Sequence, residues 1–249
     1  MNVRAVAFVF VALLCCSHES VAQLRSDSEP YSRRNTFTVF GEYSNDSSHI
    51  VLGRTPNRKL AGVGAQYERR LLGNEYVTWS YEAEFRPFIV SSDPFASYTS
   101  TDTFNGTTSS PVLSSGMVSE CVAGTSTYTF TGPFGTESGV IVTQCSRVQT
   151  LAQGGSPIGF RFHLMPRRKL QLMFSSDGGY MYSTKPIPIP TAGGFNFTFN
   201  FGAGFEYFYK PHRSVRLEYL VQHYSNAYTA GSNPGVDSQF IRVGYSFGH

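Results

Sequence analysis

Charge is scarce in this chain of 249 residues: Asp, Glu, Lys and Arg make up only 15%, and the formal net charge is +3. A disordered chain needs high charge and few aromatics, and a coiled coil needs Ala, Glu, Lys and Leu; 21 Phe, 15 Tyr and 24 Gly exclude the first and argue against the second. A charge of +3 spread over this length makes no basic patch, so no nucleic-acid partner is expected. Helical periodicity is nowhere sustained. No apolar run reaches the about 18 residues that a membrane-spanning helix requires. A mean hydropathy of −0.18 fits that absence. It leaves open a membrane barrel, whose strands expose apolar residues only at alternate positions. The length allows one domain or two small ones.

Cysteine is also sparse, at four residues, and two of these lie in the first segment. Residues 1–4 are a short basic start, and residues 5–16 are an apolar run too short to span a bilayer. Ser20-Val21-Ala22 then places small residues at the −3 and −1 positions of a cleavage site. The expectation is a secretory signal peptide over residues 1–22, cleaved before Gln23. A lipoprotein site at Cys16 is disfavoured because Cys15 stands where Gly or Ala is wanted. Cys121 and Cys145 remain, in a chain exported to an oxidising compartment, and a disulfide between them is the default expectation; two unpaired thiols are the alternative. No Cys-x-x-Cys or clustered His accompanies them, so neither a metal site nor a cofactor is expected.

Period-two alternation is what the sequence has in abundance. It predicts eight strands, at residues 35–44, 60–71, 75–89, 156–165, 169–182, 195–208, 214–225 and 237–247. One face is apolar throughout, as in the run Phe195, Phe197, Phe199, Phe201, Ala203, Phe205 and in Val215, Leu217, Tyr219, Val221. The other face carries six Glu (Glu42, Glu68, Glu82, Glu84, Glu206, Glu218) and five Arg (Arg70, Arg86, Arg161, Arg216, Arg242). A near-balance of charge suits the closed interior of an eight-stranded barrel, too narrow for a water-filled pore. A soluble lipocalin-like barrel, with the apolar set inside, is the alternative. The connections discriminate: they alternate long and short, with long ones near 45–59, 90–155, 183–194 and 226–236 and short turns between. An outer-membrane barrel has short periplasmic turns and long external loops. The fold expected is an all-β, eight-stranded antiparallel up-and-down transmembrane barrel, residues 23–249, in a Gram-negative outer membrane. Residues 92–154 are expected as an extracellular loop insertion stapled by Cys121 and Cys145, with a hairpin at 125–131 and 139–144.

Near the C-terminus stands His223-Tyr224-Ser225-Asn226-Ala227. His223 and Ser225 are two apart on a strand and share a face, the one that also carries Val215 to Val221. Asp237 opens the next strand in phase with Ile241 and Val243, which puts it on the lipid side too. Strands seven and eight are adjacent, so the three side chains can meet. Polar groups facing a bilayer are costly without a task, and these three have the parts of a nucleophile, a general base and an orienting carboxylate. The bland alternative is a set of polar strand-end residues at the headgroup level. The other histidines offer less: His18 leaves with the leader, His49 lies in a loop, His212 in a turn and His249 at the end, and His163 on the polar face beside Arg161 is a structural hydrogen-bonder.

The segment His223 to Ala227 followed by Asn233-Pro234-Gly235-Val236-Asp237 resembles the PagL-type lipid A 3-O-deacylases of Gram-negative outer membranes, with an acid twelve residues after the motif serine. The motif resemblance covers roughly the last 30 residues. It implies hydrolysis of the ester-linked acyl chain at the 3-position of lipid A, with lipopolysaccharide as substrate. Ser225 is then the nucleophile, His223 the base and Asp237 its orienting acid, while Asn226 and Asn233 take oxyanion-hole or loop-fixing roles. Three features depart from the family pattern: Asp237 where Glu is usual, Tyr228 where Gly is frequent, and the long insertion at 92–154. A non-enzymatic structural or adhesive barrel with a vestigial site is the second reading, and a soluble lipid carrier the third. Acyl-chain preference and oligomeric state, a homodimer included, are left open by the sequence.

Overall fold

The computed structural model describes residues 31–45, 57–118, 120–189, 191–233 and 235–249. The expected leader and His49 lie outside the described residues. Among the described residues eleven strands form one antiparallel sheet: β1 Asn35–Ser44, β2 Lys59–Gly73, β3 Val77–Phe104, β4 Thr107–Thr108, β5 Val112–Met117, β6 Gly124–Gly132, β7 Gly135–Leu164, β8 Leu170–Ser183, β9 Phe195–Lys210, β10 Arg213–Ser225 and β11 Val236–Gly248. Eight of them close a ring in the order β3-β2-β1-β11-β10-β9-β8-β7, sealed by β3 pairing with β7 and β1 with β11. These are the eight strands expected from the alternation.

Burial follows the alternation, inverted relative to a soluble barrel. On β1, Phe37, Val39 and Tyr43 are exposed while Thr38 and Glu42 are buried. β9 is the extreme case, with Phe195, Phe197, Phe199, Phe201 and Phe205 outward and Asn196, Thr198, Asn200 and Glu206 inward. Such an exterior is stable only in hydrocarbon, and a closed ring leaves no unpaired strand edge there.

The lumen is filled by ion pairs. Arg161 reaches Glu82 at 2.7 Å and Glu218 at 2.9 Å. Arg242 holds Glu84 at 2.6 Å and Glu42 at 2.7 Å, and Arg86 bonds Glu84 at 2.9 Å. Arg216 and Arg33 converge on Glu206, and His163 lies 3.2 Å from both Glu68 and Glu206. Room is made for the carboxylates locally: a Cβ at Gly159, directly across from Glu82, would stand 2.6 Å from its Cγ. Of the five arginines expected inside, Arg70 is only half-buried at the rim, bonded to Ser32. Arg33, ahead of β1, takes the inner position and closes the end where β1 begins and β11 finishes, its guanidinium also over the Phe208 ring at 4.7 Å. The opposite, external end is closed by an apolar cap of Leu60, Ile89, Ala152, Met181, Ile187, Leu220, Tyr224, Val236 and Phe240.

Residues 92–154 differ from the loop expected there. β2 leaves β3 at Ser92 and β8 meets β7 only from Ala152, yet β3 and β7 keep pairing outward as far as Phe104 and Glu137. With β4, β5 and β6 they make an arm of sheet projecting about 40 Å beyond the barrel, at ~3.3 Å per residue. The physical reason is composition: alternating Thr, Val and Tyr suit a pleated strand even without a core. The hairpin expected at 125–131 and 139–144 is the β6–β7 pair. Cys121 and Cys145 are joined, with Cα atoms 5.8 Å apart, tying the segment before β6 to β7. Beyond them the Tyr128 hydroxyl donates to Asp102 at 2.6 Å, and that carboxylate holds the phenol up to about 12.

Arg161→Ala should strip two buried carboxylates of their partner and lower barrel stability by about 3–5 kcal/mol, read by urea unfolding in lipid vesicles. Replacing Cys121 and Cys145 by Ser should leave the heat-modifiable mobility of the barrel unchanged while making the arm cleavable by protease, because both residues lie outside the barrel ring.

Candidate active site

β10 runs outward from the end where β11 finishes, so its last residues sit at the external rim of the barrel. His223 and Asp237 are direct cross-strand partners on β10 and β11. Their side chains meet: His223 Nδ1 and Asp237 Oδ1 are 2.6 Å apart. The Asp237 carboxylate accepts the Nδ1 proton, which leaves Nε2 as the free acceptor nitrogen. The His223 side chain is 19% exposed and that of Asp237 not at all. Asp237 thus has the outward parity expected from the alternation but is covered rather than bare to lipid. The carboxylate is screened from hydrocarbon and its charge is met by an imidazole N–H, the condition under which an acid is tolerated there.

Gly235 contributes to that cover. Its φ is +53°, and a Cβ at this position would stand 3.2 Å from His223 Cε1. A left-handed backbone favours glycine here, and any Cβ would require the imidazole to give way. Ser225 is half-exposed, two residues beyond His223 on the same face. Among the described residues Ser225 makes no hydrogen bond to His223; the structure joins His223 to Asp237 and leaves Ser225 adjacent. Catalytic hydrogen bonds are often loose until substrate is bound. Across on β9, Phe199 is the partner of His223 and Phe197 of Ser225, each about half exposed.

The turn after Ser225 is built by asparagines. Thr229 N–H donates to the Asn226 carbonyl at 3.0 Å, closing a four-residue turn with Ala227 at φ +51° and Tyr228 at φ +60°. Two successive left-handed positions are the pattern of a primed turn, which favours Asn-Gly or Gly-Gly. Holding Ala and Tyr there costs about 1–2 kcal/mol each, and such strain tends to gather at functional sites. The buried Asn226 offsets it: Oδ1 accepts from Tyr228 N–H at 2.9 Å, and Nδ2 donates to Ser232 O at 2.6 Å and to Ala192 O. Asn233 Oδ1 accepts from Asn226 N–H at 2.9 Å. Of the two roles expected for Asn226 and Asn233, the loop-fixing one is what their bonds perform. The Tyr228 side chain is 81% exposed and blocks nothing in the turn. His163 lies in the lumen between Glu68 and Glu206, well away from this rim.

Sequence reasoning passed over Arg58, which is buried beneath this strand end and bonded to Tyr224 at 2.9 Å. It lies between strands in a stretch without periodicity, so no pattern marks it.

The family model for lipid A 3-O-deacylases (PagL) matches residues 123–246, which span β6 to β10 and most of β11. The resemblance carried by the C-terminal motif is therefore shown over that stretch. No curated protein sequence matches the chain. Among solved structures, the outer-membrane enzyme PagL is 11% identical with a TM-score of 0.42, the alignment covering 86% of this chain and 99% of that one. Neisserial surface protein A is 6% identical at a TM-score of 0.40, over 86% and 97%. Ail, the attachment invasion locus protein of Yersinia pestis, is 10% identical at 0.36, over 87% and 100%. At such values these three likenesses carry no conclusion; the inside-out barrel and the family match place the chain in the outer membrane of a Gram-negative bacterium.

Asn226→Ala should open the turn while the barrel stays closed. Loss of one acceptor bond of about 1–3 kcal/mol predicts roughly five- to 150-fold faster hydrogen exchange at the Tyr228 amide, with the amides of Val215 to Tyr219 unaffected.

Proposed function

From the family match over residues 123–246 and the His223–Asp237 pair beside Ser225, we propose that this chain is an outer-membrane esterase that removes the 3-O-linked acyl chain of lipid A. The observation that carries the reading is the 2.6 Å contact between His223 Nδ1 and the shielded Asp237 carboxylate, on the lipid-facing wall next to a serine. A purely structural rim has no need of a carboxylate that fixes one imidazole tautomer.

In this reading Asp237 keeps the proton on Nδ1, and Nε2 takes the Ser225 proton as the hydroxyl attacks the ester carbonyl. The tetrahedral intermediate collapses as His223 gives that proton to the departing 3-oxygen of lipid A, which leaves as a hydroxyl, and the acyl chain stays on Ser225. Water, deprotonated by His223, then releases the fatty acid and restores the serine. The turn at 226–229 supplies the nearest backbone N–H groups for the oxyanion. The N–H groups of Asn226, Tyr228 and Thr229 are engaged within the turn, which leaves that of Ala227 as the candidate donor. A preorganised donor of this kind is worth about 3–4 kcal/mol in the transition state. Phe197 and Phe199 offer the acyl chain an apolar surface directly beside the reacting groups. The substrate reaches the site sideways, within the outer leaflet, with no soluble pocket required.

Ser225→Ala and His223→Ala should keep the folded, heat-modifiable barrel and lower acyl release by about 10³-fold or more, measured by mass spectrometry of lipid A from cells expressing each form. Asp237→Asn should also slow turnover strongly, because an amide presents the wrong hydrogen-bonding group to Nδ1. Near-parental release by the Ser225 variant would overturn the nucleophile assignment.

A further inference from the structure

Tyr224 lies between His223 and Ser225 in sequence but points the other way, into the lumen, and is fully buried. Its hydroxyl accepts from Arg58 Nη1 at 2.9 Å. The same guanidinium donates through Nη2 to the Pro188 carbonyl at 3.1 Å and pairs through Nε with Asp93, whose second oxygen accepts from Ser91 at 2.9 Å. Arg58 is itself only 2% exposed. Its partners stand on separate parts of the wall. Asp93 is on β3, Tyr224 on β10, and three strands intervene between β3 and β10 whichever way round the ring is followed. Pro188 belongs to the β8–β9 connection, the same segment whose Ala192 carbonyl is held by Asn226. The residue before Arg58 is gripped as well: Arg147 on β7 donates to the Asn57 carbonyl at 2.7 Å and through Nε to Ser92 Oγ at 2.8 Å.

We propose that Arg58 is a positioning residue for the esterase: a strut across the external mouth of the barrel that fixes the end of β10 from inside, and so sets His223 and Ser225 on the outside. This rests on the function proposed above. A strand end is otherwise the part of a sheet most free to fray, and Ser225 is the last residue of β10. With the Tyr224 phenol clamped, the two neighbours that alternate with it keep a constant separation and aim. Because the strut starts at Asp93, where the arm leaves the barrel, the arm's base and the catalytic strand end share one rigid bracket. Small misplacements of reacting groups lower turnover more than they lower binding, so the effect of the strut belongs in kcat.

The test uses the full chain refolded in detergent with lipid A, comparing the parent with Tyr224→Phe, Arg58→Lys and the double variant. Tyr224→Phe removes one hydroxyl and leaves Arg58 and Asp93 paired, so the barrel should fold. Arg58→Lys keeps the charge facing Asp93 but lacks the planar fork needed to reach the other partners at once. Each single variant should lower kcat about tenfold with KM within about twofold of the parent. The double variant should be no slower than the worse single one, since both remove the same contact. Hydrogen exchange of the amides at 223–228 should rise in all three, with those of Val215 to Tyr219 unchanged. Parental kcat and exchange in Tyr224→Phe, or a double-variant loss equal to the product of the two single losses, would overturn the strut while leaving the esterase reading intact. A parent that releases no acyl chain overturns the esterase reading and Arg58's catalytic part in it; faster exchange in Tyr224→Phe would then still support the bracket as a structural one.

Discussion

The bilayer fixes the terms on which everything else in this molecule is arranged. Hydrocarbon on the outside demands an apolar exterior and a closed ring of hydrogen-bonded strands. With the apolar positions spent outward, the alternate positions must fill a narrow lumen with polar residues, and buried charges are stable only when paired. Arg161 between Glu82 and Glu218, and Arg242 between Glu42 and Glu84, are the outcome. Arginine suits the position because its planar fork serves two carboxylates on different strands at once. The same pairs cross-brace the wall, so neutrality and rigidity come from one set of contacts.

Against that background the outer end of β10 breaks the exterior rule, and does so in a controlled way. His223 and Ser225 occupy positions that hold Val, Leu or Tyr lower on the same strand. The cost is limited by three devices: the His223–Asp237 contact, the Gly235 backbone laid against the imidazole, and a location at the rim rather than at the bilayer midplane. The strained turn at 226–229 and the asparagines that hold it follow directly after the serine. Features that weaken a barrel are concentrated in one place, which is the pattern of a site under a requirement other than stability.

The barrel was legible in the sequence because lipid imposes a strict period of two over whole strands, and the phase of Phe195 to Phe205 cannot be mistaken for a helix. The pairing of His223 with Asp237 was legible for a related reason: side-chain parity plus adjacency of two hairpin strands determines which groups share a face. What lay beyond reach was anything set by a side chain crossing open space. Balance among the lumen charges was visible, but not which Arg meets which Glu, nor that Arg33 enters from outside the strands while Arg70 stays at the rim. The arm was expected as loop because its Ser- and Thr-rich strands bury no core, and alternation between two exposed faces leaves little hydrophobic signal. Arg58 was invisible for the same reason: its partners are 35, 130 and 166 residues away in sequence.

Position in the ring connects these parts. The arm rises from β3 and β7, and the site lies on β10 and β11, with three strands between β3 and β10 on either path. A projecting sheet of that length beside the site would crowd the lateral approach of a bulky glycolipid. On the far wall it leaves the lipid-facing surface of β9 to β11 open. The barrel mouth offers the direct route from the arm's base to the site. The only bonds described between Asp93 and Tyr224 across that mouth run through one guanidinium, that of Arg58. A long insertion and an exposed site are compatible in so small a barrel because they occupy opposite walls, bridged across the mouth by a buried arginine.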